Sequence, residues 1–150
     1  MERYRSYMEQ ALELAREAAS RGDVPVGALV IRDGVVVGRG CNRREQDCDV
    51  TAHAEVLALK EACKTLGTWK LQDCTLVVTL EPCPMCAGAI LNARVGTVVC
   101  GATDRTFGAC GGVMNLFEEA FGYKPKLYKG IRAEECAAMM TDFFSEMRKK

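Results

Sequence analysis

The chain has 150 residues, 49% apolar and 27% charged, and its twenty basic side chains balance twenty acidic ones. That length suits one domain over residues 1–150 with a sizeable core, and the apolar share is too high for a disordered chain. Zero formal net charge argues against bulk electrostatic binding of nucleic acid, and the chain lacks both a membrane-length apolar run and a signal-peptide stretch, so a cytoplasmic protein is expected.

Tyr4, Tyr7, Met8, Ala11, Leu12, Ala15 and Ala19 recur at helical spacing and predict an amphipathic helix ending near Arg21-Gly22. Gly27 to Ile31 and Val35 to Gly38 are β-branched runs joined by Asp33-Gly34, a strong hairpin signal. The polar stretch from Cys41 to Asp49 reads as a loop. Thr51 then offers an N-cap for a helix reaching Leu66. Thr75 to Leu80 is nearly all apolar, as expected of a strand covered on both faces. A helix over 84–92, a strand over 97–100 and a glycine-rich loop from Gly101 to Gly112 follow. Lys126 to Lys129 fits a short last strand. The spacing over 133–148 predicts a helix with Cys136, Met139, Met140, Phe143, Phe144 and Met147 on its apolar face. The order α-β-β-α-β-α-β-loop-β-α implies a mixed sheet with helices on both faces.

Nine cysteines, an odd number, do not look like a disulfide scaffold without a secretion signal. Cys41, Cys63, Cys74, Cys100 and Cys136 sit in apolar stretches, where reduced cysteine acts as a small hydrophobe. Cys83 and Cys86 differ, because they open a helix directly after a buried strand. At a helix start, cysteines three apart project to one side, where unpaired N–H groups and the dipole favour thiolate. Taken alone, such a pair could be a redox couple or a metal site, and a single histidine on a helix could be structural. His53 is the only histidine in the chain. Two thiolates and one imidazole make a three-ligand zinc site with a free position for water, one zinc per chain. Glu55 is then the acid/base candidate. Residues two apart do not face each other on a regular helix, so His53 is expected at or just before the first turn.

In the order H-x-E…P-C-x-x-C, these residues form the established signature of zinc deaminases. The chain resembles the bacterial tRNA-specific adenosine deaminases of the cytidine deaminase superfamily over nearly its whole length. The resemblance rests on Thr51-Ala52-His53-Ala54-Glu55, on Leu80-Glu81-Pro82-Cys83-Pro84-Met85-Cys86-Ala87-Gly88-Ala89 and on Gly101-Ala102-Thr103-Asp104. Gly22 to Ala28, Glu134 to Ala138 and Asp142-Phe143-Phe144 extend it, and the C-terminal match favours a tRNA substrate. It implies a three-layer αβα sandwich with a mixed central sheet, usually a homodimer, that converts adenosine to inosine at the wobble position of a tRNA anticodon stem-loop. His53, Cys83 and Cys86 would bind Zn2+, and Glu55 would shuttle protons. The backbone of Ala54 and the side chain of Asn42 would read the purine edge, Asp104 would lie beside the neighbouring nucleotides, and Phe143 would pack the splayed loop.

Purely structural readings stand beside these roles: an Asx turn for Asn42, a solvated loop carboxylate for Asp104 and core packing for Phe143. The chain departs from the family at Tyr123-Lys124, where an Asn-His pair is common, at Gly112, where Ser is common, and at Val50, where Pro is frequent. Lys124 to Lys150 holds seven basic and four acidic residues, a balance of +3 that fits a phosphate-facing surface. The rival functions are a deaminase of a free base or nucleoside such as guanine or cytosine, and a noncatalytic zinc or CxxC redox module.

Overall fold

A computed structural model describes residues 2–149. Apolar periodicity in the first twenty residues produces α1, Glu2–Ser20, which buries Met8, Ala11, Leu12, Ala15 and Ala18. β1 (Gly27–Arg32) and β2 (Val35–Cys41) form the expected hairpin. Both turn residues, Asp33 and Gly34, have positive φ, as a tight turn matched to strand twist requires. β3 (Cys74–Leu80) pairs antiparallel with β1 and parallel with β4 (Thr97–Ala102), and β4 pairs parallel with β5 (Lys126–Tyr128). The sheet order is β2-β1-β3-β4-β5.

Strand alternation divides the apolar residues between two cores. Ala28, Val30, Leu76, Val78, Val98 and Cys100 face α3 (Ala54–Leu66) and α4 (Pro84–Asn92). Leu29, Ile31, Val77 and Val99 face α1 and α5 (Ala133–Arg148). The result is the expected three-layer αβα sandwich with a mixed sheet. No described helix is long and apolar enough to cross a membrane.

Three local expectations change. The stretch read as a loop from Cys41 to Asp49 contains α2, Arg44–Asp47, a single turn too short for periodicity to reveal. Asp23, buried and distant in sequence, holds it by accepting the N–H groups of Glu45 (2.9 Å) and Gln46 (3.3 Å). Thr51 is not the N-cap of α3; its N–H and hydroxyl donate to Asp49 Oδ1 in a preceding turn, and His53 occupies the cap position. On α5 only Cys136 is buried, whereas Phe144 and Met147 remain 41% and 48% exposed.

The active end of α3 is placed by glycines in β2. A Cβ on Gly40 would lie 2.3 Å from Ala54 O and 2.8 Å from Ala58 N, and one on Gly38 would lie 2.3 Å from Ala58 O. Helix backbone therefore rests on strand backbone. Gly40→Ala should destabilise the protein by about 1–3 kcal/mol through overpacking, more than the gain of about 0.4–1 kcal/mol from a stiffer unfolded chain. Urea unfolding checks this, and unchanged stability would mean that α3 can move away freely.

Candidate active site

Two helix starts meet at the end of the sheet where β3 and β4 finish. His53 and Cys83 occupy the N-cap positions of α3 and α4 in extended conformations, with φ/ψ of −87/150° and −76/172°. Neither side chain caps its own helix, so both are free to turn toward the gap between them. Pro84 follows Cys83 in the first turn, where its missing N–H costs nothing. Cys86 projects from the same turn. His53 Nδ1 lies 3.6 Å from Cys83 Sγ and 3.4 Å from Cys86 Sγ, and one ligand atom from each residue falls within 4.8 Å of the others.

The donor chemistry suits a borderline-soft divalent cation such as zinc. The Cys86 thiol donates to Cys83 and, with His53, holds the Cys83 thiol down at about 4 despite its partial burial. The same contact, together with burial, pushes the Cys86 thiol well above its ordinary value. Cys83 in turn raises His53. The pair thus favours ionisation at Cys83 first, and a dication would favour ionisation of both thiols.

Glu55 stands in the first turn of α3, 4% exposed. Burial pushes its carboxyl up to about 7 and Cys83 adds to the rise, while its own N–H and His53 pull the other way. His53 sits ahead of the helix proper, as expected, and this lets residues two apart line the same space. A cavity of about 580 Å³ lies over the cluster, within the range of small-ligand sites. His53, Glu55 and Cys83 line it, with Asn42, Asp104 and Phe107 among its other walls.

The remaining anticipated residues divide. Asn42 lines the cavity, and its Oδ1 accepts the N–H of Ala54 at 2.8 Å. Ala54 itself is fully buried, with its N–H committed to Asn42. Asp104 lines the cavity too, but its Oδ1 accepts the N–H groups of Thr106 (2.9 Å) and Phe107 (3.2 Å), tightening its own loop. Phe143 lies elsewhere, in a groove between α1 and α5 beside Arg16 and Met139. Neighbouring helical residues point about 100° apart, and it is Phe144, with Met140, that reaches the cavity.

Glu81, which the sequence marks only as part of the Leu80–Ala89 match, holds a distinct structural position. Its side chain is completely buried and accepts the N–H groups of Asp104 (3.2 Å), Cys110 (2.8 Å) and Gly112 (2.7 Å). Lys129 Nζ lies 3.8 Å from the same carboxylate and donates to Cys110 O at 3.0 Å. A Cβ on Gly108 or Gly112 would strike this carboxylate or the carbonyl of Asp104, which accounts for glycine at 112. Tyr123, the other departure, is a strut whose hydroxyl donates to the carbonyls of Arg94 and Val95.

The basic C-terminal segment is mostly paired. Lys124 meets Glu118, Lys129 meets Glu81, Arg132 meets Glu9 and Glu135, and Lys149 meets Glu146. Lys150 lies outside the described residues. All nine cysteines are free, and only Cys48 is exposed.

The chain matches the MafB19-like deaminase family over residues 2–148. It is 48% identical over 145 residues to a tRNA-specific adenosine deaminase of Bacillus subtilis, covering 96% of this chain and 90% of that protein. It is 51% identical over 144 residues, 95% of this chain, to a tRNA(Ile)-lysidine synthase of Deinococcus radiodurans, but spans only 25% of that protein's length. A structure from studies of A-to-I editing by tRNA:A34 deaminases superposes with a TM-score of 0.86 at 41% identity, covering 89% of this chain and 98% of that one. A guanine deaminase of Nitrosomonas europaea superposes at 0.83 with 26% identity, covering 94% and 84% respectively.

Glu81→Ala should leave three N–H groups and Lys129 without their carboxylate. The expected loss is about 3–5 kcal/mol, as for a broken buried ion pair. Urea unfolding measures it, and amide hydrogen exchange should quicken at Asp104, Cys110 and Gly112. Unchanged exchange at those three sites would show that the loop does not depend on Glu81.

Proposed function

The chain belongs to the MafB19-like deaminase family, among the tRNA-specific adenosine deaminases, and on that premise we propose that it converts adenosine to inosine at the wobble position of a tRNA anticodon. The observation that carries the chemistry is the convergence of His53, Cys83 and Cys86 beside the buried carboxyl of Glu55 at the base of one cavity. The substrate assignment is carried by 48% identity over nearly the full chain to a protein of that activity.

Zinc held by His53, Cys83 and Cys86 would lower the pKa of water and supply the nucleophile at neutral pH. Glu55 is not a ligand in this scheme. Its carboxylate takes up the water's first proton and delivers it to the ring nitrogen next to the amino-bearing carbon, then takes up the second from the new hydroxyl on that carbon and delivers it to the amino group, which leaves as ammonia while a carbonyl forms. A carboxyl held at about 7 is suited to both uptake and release near neutral pH. Asn42 offers its amide Nδ2 to an acceptor on the purine edge, and Ala54 acts through it by engaging Oδ1 and so fixing the amide's orientation. Asp104 shapes the loop that flanks the neighbouring nucleotides, and Phe144, in place of Phe143, offers an apolar wall to the splayed anticodon loop. The working assembly is a homodimer, as the resemblance implies.

The similarity to a guanine deaminase gives the free-base reading specific support. The two readings separate when the protein is incubated with an anticodon stem-loop carrying adenosine at the wobble position, alongside free adenosine, guanine and cytosine. Inosine should form only in the stem-loop; turnover of guanine or cytosine instead would replace this proposal with the rival.

The metal is expected at about one equivalent per chain, and a Cys83→Ser, Cys86→Ser double variant should lose it, because soft thiolates dominate the donor set. Stoichiometric zinc retained by that variant would refute the ligand assignment.

Glu55→Ala should keep its zinc and its fold, since alanine suits the helix, while stem-loop deamination drops by at least about a hundredfold. Single-turnover assays of zinc-loaded protein decide the point. Turnover close to that of the parent would remove Glu55 from the mechanism, and joint loss of zinc and activity would give it a structural role.

A further inference from the structure

Phe107 is the most exposed phenylalanine described, at 64%, and packs into neither core. It nevertheless sits on a tightly fastened backbone. Its own N–H and that of Thr106 donate to Asp104 Oδ1, Gly108 N–H donates to Asp104 O at 3.0 Å, and Ala109 N–H donates to Pro82 O at 2.8 Å. Directly behind the ring's residue, Gly108 has no room for even a Cβ, which would lie 2.2 Å from Asp104 O and 2.4 Å from the Glu81 carboxylate. The loop thus holds a large apolar side chain in water at the rim of the cavity whose base contains His53 and Glu55.

We propose that Phe107 is a stacking platform for a nucleobase adjacent to the target adenosine. The inference rests on the tRNA-deaminase reading above. Once the target base is extruded into the cavity, the nucleotide joined to it by one phosphodiester must fall at the rim, with its base unstacked from its neighbour. A flat aromatic face meets that need because every base has a π-face, so the contact works without reading sequence. Holding the ring on a rigid loop means that little freedom is lost when the base arrives. The contact forms equally in the ground and transition states, so it belongs in KM and not in kcat.

The test is steady-state deamination of the wobble-adenosine stem-loop by the parent protein and by Phe107→Ala, Phe107→Leu and Phe107→Tyr. Each is assayed on an intact loop and on loops with an abasic site 5′ or 3′ of the target. Phe107→Ala and Phe107→Leu should raise KM about tenfold with little change in kcat, and Phe107→Tyr should restore the parent KM. One of the abasic sites should raise the parent's KM to a similar degree and abolish the difference between parent and Phe107→Ala. An unchanged KM, a leucine variant as good as the parent, or an alanine effect undiminished on both abasic loops would overturn the platform. So would a change in oligomeric state of Phe107→Ala on size-exclusion chromatography, which would make the ring a contact between two copies of the chain. If the parent turns over no stem-loop, the substrate reading fails and this inference with it; if the parent is active, a negative result counts against Phe107 alone.

Discussion

The site depends on how closely two backbones approach where α3 lies on β2. Gly38 and Gly40 leave the strand surface bare, and Ala54, Ala58 and Ala62 complete a contact made almost entirely of small residues. With the helix axis held so near the sheet, its first residue falls level with the strand ends, where Asn42 leaves β2 and receives the N–H of Ala54. β3 ends at the same level and passes through Pro82 into α4. Two helix N-termini are thereby brought side by side, and both orient their positive dipole ends toward the space between His53, Cys83 and Cys86.

The two buried glutamates flanking this space show how environment assigns roles to one side-chain type. Glu55 is desolvated with few donors around it, so its charged form is disfavoured and its proton is exchangeable near neutral pH. Glu81 is equally buried, but three backbone N–H groups and Lys129 occupy its oxygens. A carboxylate engaged in that way is held in place by its partners. It serves as the internal support of the 104–112 loop, tying that loop to the link between β3 and α4 just ahead of Cys83.

The layers and the cysteine–histidine cluster were readable because each is written in local pattern. The helices over 84–92 and 133–148 carry their limits in Pro84 and in apolar spacing, and the H-x-E and C-x-x-C elements are each short and contiguous in sequence. What escaped depends on contacts between distant residues. α2 exists because Asp23, more than twenty positions away, binds its first N–H groups. Glu81 looks like an ordinary polar residue at a strand end; the only local hint is a charge at the close of an almost wholly apolar run followed by Pro82. That Phe144 and not Phe143 lines the cavity depends on helix rotation about α5, which spacing alone left undetermined because both rings fit a broad apolar stripe. Tyr123 and Gly112, read as departures, are each satisfied by neighbours within the fold.

The cavity has walls of very unequal firmness. On one side, the 104–112 loop is cross-braced to a buried carboxylate and has glycines where no side chain fits. On the other, Met140 and Phe144 belong to a helix anchored through Cys136 near its start and through Arg132 to Glu9, with its far half largely in water. Local opening free energy scales with buried apolar contact, so the last turns of α5 can fray at a cost far below that of unfolding the sheet. A bulky polynucleotide therefore meets a yielding edge on one side and an unyielding one on the other. Give in the cavity wall is confined to the C-terminal helix, while the braced side keeps a fixed geometry toward His53 and Glu55.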